Sequence, residues 1–284
     1  MLSLVQIGIT TKNRWDDLKV TLEKVRDLGL GDLRIIIFDD HSDVPCPYPV
    51  GAICPGAEIQ RFDISRGLIV RRNEIAAAMD AKYYLSLDDD SFPCMGSLEA
   101  AVAYAESLTD NFCLAFPYHI PGSAGKEPVM SREPPVQVRS FIGCAHMLDR
   151  QRLLDLGGYR EELIHQGEEM EIAVRAFQQG LACRRFPGLL IIHMTTSVGR
   201  SFDRMDYYGS RNTLLWNDWY LPPVQRTVKQ GRALLMRLFA FAASRRFGHI
   251  RGSLAGLIAI QRYKRYRNSM TADQYRRWQK LPLY

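Results

Sequence analysis

The sequence has little of what marks secreted, disulfide-stapled or membrane-spanning proteins. Its 284 residues contain six cysteines, with no C-x-x-C pair and no histidine close enough to suggest a zinc knuckle, so free thiols in a reducing compartment are the simplest interpretation. The first nine residues have neither the basic segment nor the long apolar core of a secretion signal. Arginines and a histidine interrupt the most apolar later stretch, 233–260, which leaves no run near the roughly 20 residues of a membrane-spanning helix. We therefore expect a cytoplasmic protein.

Acidic residues are almost absent from the last part of the chain. Residues 221–284 contain 14 lysines and arginines but a single acid, Asp273, and so carry a net charge of +13, whereas residues 1–220 carry −7. Two prolines, Pro222 and Pro223, mark the change. The shift predicts two parts with different roles, an acidic body (1–220) and a basic helical extension (221–284).

Hydrophobic periodicity predicts alternating strands and helices in the body. Residues 4–10 form an apolar run, 15–28 have helical spacing, and 33–38 are a β-branched run. A strand, a helix and a strand with short links predict a right-handed parallel crossover, and so an α/β, Rossmann-like sheet whose ligands bind beyond the carboxyl ends of its strands. Further strands are predicted at 58–62, 83–87, 112–118, 141–148 and 189–193, further helices at 67–81, 97–108, 149–156 and 168–180, and loops at 44–56 and 121–135.

Three aspartates, Asp88, Asp89 and Asp90, directly follow the apolar strand at 83–87. They would repel one another unless a positive charge lay among them. Mg²⁺ or Mn²⁺, which bridge carboxylates to nucleotide phosphates, would supply that charge. In an extended segment Asp88 and Asp90 lie on one side and Asp89 points away. A solvated acidic turn or a helix start would account for the same residues.

A second acidic group opens the helix predicted at 168–180, where a glycine precedes Glu168 and Glu169. The helix dipole favours carboxylates in a first turn, so these acids can also be structural. Glu171 and Arg175 form an i,i+4 pair that makes structural sense by itself.

His193 ends the last predicted strand, where it is either a structural residue or a ligand. The order of a strand with D-x-D, a helix starting with G-E-E, and a strand ending in histidine resembles the family 2 glycosyltransferases with the GT-A fold, in particular their bacterial rhamnosyltransferase-like members. The segments that carry the resemblance are Ile9-Thr10-Thr11-Lys12-Asn13-Arg14, Phe38-Asp39-Asp40-His41-Ser42, Ser65-Arg66-Gly67 with Arg72-Asn73, Leu87-Asp88-Asp89-Asp90, Gly157-Gly158-Tyr159 with Gly167-Glu168-Glu169, and Tyr207-Tyr208-Gly209-Ser210-Arg211-Asn212.

The resemblance implies an inverting glycosyltransferase that moves a hexosyl or deoxyhexosyl group from a nucleotide diphosphate donor to an acceptor hydroxyl. It implies a GT-A body with a nucleotide-sugar half at about 1–118 and an acceptor half at about 119–220. Asp90 and His193 would hold Mn²⁺ or Mg²⁺, and Glu169 would be the catalytic base. The other implied positions are Thr10, Asn13, Arg14, Asp39, Asp40, Gly67, Arg72 and Asp88 for the nucleotide, with Asp39 or Asp40 on the base or ribose and Asp88 on the ribose or metal, and Glu168 and Arg211 for the acceptor or phosphate side.

The chain departs from the family pattern at three places. Glu169 stands where aspartate is commoner, Ser65 replaces the usual asparagine, and Thr10-Thr11-Lys12 stands where Pro-Thr-Tyr is common. These departures leave the donor open. The choice of sugar and acceptor is expected to lie in the loops at 44–56, 118–140 and 195–210.

Three other functions compete with this interpretation. A nucleotidyltransferase would need a glycine-rich phosphate loop after the first strand, and 10–14 contain no glycine. A nucleic-acid-binding protein is suggested by basic residues interleaved with aromatics at 262–267 and 275–278, although the acidic body argues against nucleic acid as the main ligand. A non-catalytic carbohydrate-binding relative could keep the fold, but the acids stand at all of the expected positions.

The basic extension has two ordinary explanations. It could be a solvated helical face, or its leucines and arginines could dock on the anionic inner face of a membrane, where each basic residue contributes about 1 kcal/mol. Trp278 is a residue type suited to the headgroup boundary. Because lipid-linked acceptors are common among the bacterial relatives, we expect peripheral binding to such a surface.

Overall fold

The computed structural model describes residues 1–122, 127–195 and 201–284. Within them the strands, numbered in chain order, are β1 Val5–Thr11, β2 Ile35–Asp39, β3 Ala57–Arg61, β4 Tyr83–Asp88, β5 Ser91–Gly96, β6 Asn111–Ala115, β7 Tyr118–His119, β8 Val136–Val138, β9 His146–Asp149, β10 Ala182–Arg185 and β11 Leu189–His193. The α-helices are α1 Trp15–Asp27, α2 Val50–Ile53, α3 Leu68–Ala78, α4 Leu98–Glu106, α5 Arg150–Asp155, α6 Glu168–Gln178, α7 Phe202–Tyr220, α8 Pro223–Ser244, α9 Gly248–Arg262 and α10 Ala272–Lys280.

The main sheet has eight strands in the order β3-β2-β1-β4-β9-β6-β10-β8. β1 to β4 run parallel, which confirms the predicted crossovers and the α/β class. β9 runs antiparallel between β4 and β6. The register pairs Thr11 with Asp39 and Thr10 with Asp88. The acids that end β2 and β4 therefore flank the carboxyl end of β1, where ligands of such sheets bind.

A second sheet, in the order β5-β11-β7, brings His193 to the same edge. β5 runs antiparallel to β11 and pairs Ser91 with His193. The backbone N–H of Met194 donates to the carbonyl of Asp90 at 2.9 Å. The sequence does not indicate β5, because a run that contains Pro93 and ends at Gly96 is typical of a loop.

Several other short elements differ from the prediction. The strand expected at 112–118 is divided between β6 in the main sheet and β7 in the second sheet, and the strand expected at 141–148 begins only at His146. A short helix, α2, lies inside the loop expected at 44–56, and β8 and β10 were not expected. Elements of three or four residues depend on pairing with distant strands, which periodicity does not reveal. Of the loop expected at 121–135, residues 123–126 lie outside the described residues.

The basic extension packs against the body. α9 packs along α7, and Trp278 of α10 lies edge-on to Phe177 of α6, with ring centroids 5.1 Å apart. Arg267 donates to Asp218 at 2.6 Å. Trp278 is only 3% exposed, so the expectation that it lies at a lipid headgroup boundary is wrong: the core of the protein buries its ring. The division at residue 220 stays a prediction.

α8 differs from its neighbours because it has no buried residue. Within the described residues, no helix is both long enough and apolar enough to cross a bilayer. All six cysteines are free thiols, as expected. Large apolar side chains on α8 that face solvent are Val224, Val228, Leu235, Met236, Leu238 and Phe239.

Candidate active site

The three aspartates at the end of β4 contact two arginines. Asp88 Oδ1 accepts a hydrogen bond from Arg72 Nη2 at 2.8 Å. Arg14 lies 2.9 Å from Asp89 Oδ1 and 2.6 Å from Asp90 Oδ2. Burial raises the pKa of Asp89 to about 8. The arginines supply part of the positive charge that the sequence argument assigns to a metal, because opposite charges at this range stabilise ionised carboxylates.

His193 and two of the aspartates fit a divalent cation. Single ligand atoms of Asp88, Cys144 and His193 all lie within 4.8 Å of one another, and Asp90 Oδ1 lies 3.4 Å from His193 Nε2. Burial opposes ionisation of Asp90, but hydrogen bonds from His193 and Arg14 hold its pKa below the usual range. Burial raises the pKa of the Cys144 thiol. Two carboxylates and an imidazole suit Mn²⁺ better than Mg²⁺, which prefers oxygen ligands alone.

Arg72 connects the aspartates to the first turn of α6. Its buried guanidinium contacts Asp88 through Nη2 and lies 3.3 Å from Glu168 Oε1 and 3.9 Å from Glu169 Oε1 through Nη1. Nη2 also donates to the carbonyl of Gly143 at 3.0 Å. The two acidic groups of the sequence therefore belong to one charge network, with a single guanidinium between them.

Glu169 has the properties of a proton acceptor. Burial, and then the negative charge of Glu168, raise its pKa to about 8. A base whose pKa lies near neutral pH can both take a proton and release it. Gly143 gives the carboxylate its space, since a Cβ there would lie 2.6 Å from Glu169 Oε1 and 2.8 Å from Arg72 Nη2. Glu168 is more buried, and its Oε2 has no hydrogen-bond partner.

The loop before α6 is held in place by one side chain of α7, that of Asn212. Its Nδ2 donates to the carbonyls of Leu163, His165 and Gln166 at 2.8–2.9 Å. Two loop residues, Ile164 and Gln166, have positive φ values of 64° and 67°, which side chains other than glycine adopt at an energetic cost. The Asn212 carboxamide thus stabilises the strained loop that leads into α6, where Glu169 lies in the first turn.

Arg211, expected on the acceptor or phosphate side, lies beside Asn212. Its Nη1 donates to the carbonyl of Glu162 at 2.9 Å and to Asn212 Oδ1 at 2.7 Å. The structure does not bring it to the aspartates, and its role toward phosphate stays a prediction. The expected Glu171–Arg175 pair is confirmed, with Arg175 Nη2 2.6 Å from Glu171 Oε2.

Asp40 of the predicted nucleotide site is already saturated by the protein. Its two oxygens accept hydrogen bonds from Ser65 Oγ, from the backbone N–H groups of Arg66 and Gly67, and from Arg71 Nε, all at 2.7–2.9 Å. Burial opposes its ionisation, yet these donors hold the pKa of Asp40 below its usual value. Asp40 therefore shapes the turn that carries Gly67.

Asp39 is the better placed of the two acids for a ligand. Its Oδ1 accepts from the backbone N–H of Ser42 at 2.9 Å, whereas Oδ2 is buried without a hydrogen bond, 3.6 Å from Arg61 Nε. Asn13, with φ of 56°, donates its backbone N–H to Ser42 Oγ at 2.8 Å. Thr10 Oγ1 is also buried without a hydrogen bond. These unpaired oxygens lie at the edge of the sheet where a nucleotide would bind.

Sequence reasoning missed three residues of this site. Thr11 Oγ1 donates to Asp89 Oδ2 at 2.8 Å, Gly143 opens space for Glu169, and Asn212 holds the loop before α6. Thr11 and Asn212 stand inside recognised segments, so their polar side chains were a usable signal. Nothing around Gly143 in the sequence indicates that a Cβ would clash there.

Comparison with known proteins identifies a family. Residues 6–158 match the model of glycosyl transferase family 2. A pre-mycofactocin glycosyltransferase of Mycobacterium tuberculosis is 29% identical over 205 residues, covering 64% of this chain and 42% of that protein. The chain thus spans less than half the length of the curated relatives that it matches. The match to the family model confirms the expected family, and the curated relatives are not rhamnosyltransferases by name.

Solved structures confirm the GT-A-like fold. GalNAc-T7 with UDP, GalNAc and Mn²⁺ superimposes with a TM-score of 0.60 at 16% identity, covering 75% of this chain and 50% of that one. The mannosyltransferase PcManGT from Pyrobaculum calidifontis, in complex with GDP-Man and Mn²⁺, gives 0.57 at 12% identity, covering 96% and 77%. S. aureus TarS 1–349 with UDP-GlcNAc gives 0.54 at 11% identity, covering 85% and 73%. At these identities the likeness concerns the fold.

Proposed function

The chain belongs to glycosyl transferase family 2, and we propose that it transfers a hexosyl or deoxyhexosyl group from a nucleotide diphosphate donor to an acceptor hydroxyl, with inversion. One observation carries the proposal: a carboxylate with a raised pKa, Glu169, is linked through Arg72 to Asp88 of the candidate metal site. Solved relatives hold UDP-GlcNAc or GDP-Man, so UDP and GDP are the first nucleotides to test. The third nucleotide to test is dTDP, which a rhamnosyltransferase-like donor would carry.

In the proposed reaction, Glu169 acts on the acceptor, whereas Asp90 and His193 lie on the side of the leaving diphosphate. Glu169 takes the proton of the acceptor hydroxyl as that oxygen bonds to the anomeric carbon, and the bond from carbon to the diphosphate oxygen breaks with its electron pair. Asp90 and His193 would hold Mn²⁺, which when bound neutralises the leaving diphosphate. Because Glu169 must be ionised to act, the transfer rate should rise with pH up to about 8.

Donor binding tests the metal site. We expect calorimetry to show that the best of UDP, GDP and dTDP binds wild type only with Mn²⁺ present, and binds Asp90→Ala weakly or not at all. Asp80→Ala is the matched control, since Asp80 is largely exposed and remote from the site. Equal affinity with and without metal, in both wild type and Asp90→Ala, would contradict the assignment.

The catalytic base is tested by paired substitutions. Glu169→Gln should leave donor affinity near wild type and lower transfer by a factor on the order of 10² to 10⁴, the range for a lost general base. Glu168→Gln should do less. If the two variants behaved in the opposite way, Glu168 would be the base. If neither lowered transfer, the acids would be structural and the non-catalytic relative would become the better description.

We further propose that α8 docks on an anionic membrane surface, where a lipid-linked acceptor would be found. Its exposed apolar residues Val224, Val228, Leu235 and Phe239 recur at four- and seven-residue spacing, which places them on one face of the helix. The surrounding extension carries +13, and such charge adds to apolar contact at lipid headgroups. We therefore propose a location on the inner face of the cytoplasmic membrane.

The aromatic residues of the extension argue against nucleic acid as the partner. The Tyr266 ring lies 4.3 Å from the guanidinium of Arg160 and packs edge-on to Trp219. Tyr275 and Trp278 are buried. The buried rings of Tyr275 and Trp278 cannot stack on bases.

Vesicle cosedimentation tests the membrane proposal. Point substitutions are used because truncation at residue 220 would expose the core that the body and the extension form together. We expect the full chain to bind vesicles with anionic lipid at low salt and to be released as the Debye length shrinks from about 10 Å at 0.1 M to about 3 Å at 1 M. Val228→Glu with Leu235→Glu should abolish binding. The control pair, Ile64→Glu with Val129→Glu, alters equally exposed apolar residues outside α8. Tighter binding to single-stranded nucleic acid than to vesicles would contradict the proposal.

A further inference from the structure

A pocket of about 480 Å³ lies between α6, α7, α8 and α10, apart from the aspartates of β4. Its walls include the side chains of Met170, Trp216, Tyr275, Trp278 and Leu283. The volume is that of a small-molecule site. Met170 follows Glu169 directly on α6, but Glu169 faces Arg72 while Met170 lines this pocket.

Three cations line the same pocket, and none of them has an acidic partner among the described residues. Among the described residues, no carboxylate lies within ion-pair distance of Arg139, Lys229 or Arg237, and Arg139 Nε is buried without a hydrogen bond. The indole N–H of Trp216 is also buried and unpaired. The three cations are half-buried and keep part of their hydration. The buried N–H groups of Arg139 and Trp216 lack an acceptor, and burying such a donor is unfavourable unless a ligand satisfies it.

We propose that this pocket is a second binding site for an amphipathic anion, a molecule with an apolar or aromatic body and one phosphate or carboxylate group. The aromatic walls accept the body, and Lys229 and Arg237 of α8 face the anion. Leu163, Gln166 and Gly167 also line the pocket. A ligand there contacts the loop that positions Glu169, so the pocket is coupled to the active site.

The two sides of α8 have different surroundings. Lys229 and Arg237 line the pocket, whereas Val228, Leu235 and Phe239 face solvent from the same helix. The anion can therefore be a soluble metabolite or the headgroup of a lipid. Both present the same chemistry to the pocket.

Decyl phosphate, used below its micelle concentration, is the probe. We expect calorimetry to show saturable binding to wild type, at least tenfold tighter than decanol or inorganic phosphate, because the probe alone satisfies both halves of the pocket. Lys229→Gln with Arg237→Gln should weaken it at least tenfold, as expected for lost charged hydrogen bonds. Trp216→Phe, which removes the N–H and keeps an aromatic ring, should weaken it a few-fold. The control pair Arg232→Gln with Arg276→Gln removes two exposed charges outside the pocket and should bind as wild type.

Hydrogen exchange gives an independent readout, since the bound probe should slow exchange at residues 163–167. Phosphatidic acid vesicles distinguish the two sources. A lipid headgroup is the ligand if the Lys229 and Arg237 variant also loses vesicle binding, and a soluble anion is the ligand if vesicle binding is unchanged. The proposal is overturned if decyl phosphate does not bind, if it binds the pocket variant as tightly as wild type, or if decanol binds equally well. Circular dichroism establishes that each variant is folded.

Discussion

Replacing Asn212 with alanine tests whether a residue that touches no substrate sets the position of the base. Its Nδ2 group serves three carbonyls of a loop that has two residues with positive φ. Losing a side chain that satisfies buried polar groups costs about 1–3 kcal/mol. We expect Asn212→Ala to lower the free energy of unfolding by about 2 kcal/mol, or roughly 3 °C in Tm for a chain of this size.

The activity of the variant separates positioning from simple destabilisation. If the loop relaxes, Glu169 moves relative to the acceptor, and a misplacement near 1 Å costs about a hundredfold. The side-chain hydrogen bonds of Asn212 go to this loop and to Arg211, and none goes to a residue assigned to the nucleotide. We therefore expect kcat to fall ~10- to 100-fold, measured well below Tm, while the donor KM stays within about threefold because no donor contact is lost.

Two further variants, Asn217→Ala and Asn212→Asp, test whether the effect is specific to the carboxamide of Asn212. Asn217→Ala is the matched control, since Asn217 lies on the same helix, is also buried, and makes one long side-chain hydrogen bond, 3.5 Å to Gln230. It should keep wild-type kcat. Asn212→Asp keeps the size of the side chain but presents a carboxylate to the three carbonyls, and should be no better than alanine. A kcat within twofold of wild type in Asn212→Ala, or recovery in Asn212→Asp, would refute the role.

Three shorter predictions concern Glu169, Gly143 and Asp218. Because the pKa of Glu169 rises from 4.5 to about 8 on folding, its stabilising contribution is lost as pH increases through that range. Chemical denaturation should therefore show that Glu169→Gln gains stability on wild type between pH 5 and pH 9, by up to about 4 kcal/mol, and no gain would contradict the raised pKa. Gly143→Ala should lower kcat at least tenfold with little change in Tm, since its Cβ would displace the ends of the Glu169 and Arg72 side chains; unchanged kcat would show that these ends can move freely. Asp218→Ala should destabilise the fold by about 1–3 kcal/mol through loss of the buried acceptor of Arg267, as measured by denaturant unfolding with exposed Asp273→Ala as the control.

The fold was predictable where periodicity is long and local. β1, α1, β2, α3 and β4 were expected within a few residues, because each is an uninterrupted apolar or amphipathic run. β5 and β8 were not expected. β5 contains Pro93 and ends at Gly96, and β8 has only three residues, so neither has a local strand pattern and both exist through pairing with partners far along the chain. The packing of the basic extension was also missed: charge composition describes its surface and says nothing of which rings face inward.

The site was predictable as a set of residues and less so as a set of contacts. The resemblance implies the roles of Asp88, Asp90, Glu169 and His193, and the structure brings these side chains to one edge of the sheet. Arg72 is a different case. The resemblance suggests a phosphate partner, whereas the structure shows a buried link between two acidic groups, because burial and the choice of counter-charge depend on three-dimensional distance.

The match to the family model covers only the first part of the candidate site. The matched region ends at residue 158, whereas Glu169, His193 and Asn212 all come later in the chain. Each later element is tied back to the matched region or to the turn beside it: β11 pairs with β5, and Glu168 meets Arg72. The first part of the chain therefore supplies the strand ends and aspartates, whereas the proposed base, Glu169, and the proposed histidine ligand, His193, come from later elements. The arrangement is built by Arg72 and by the second sheet, which join residues that the sequence keeps far apart.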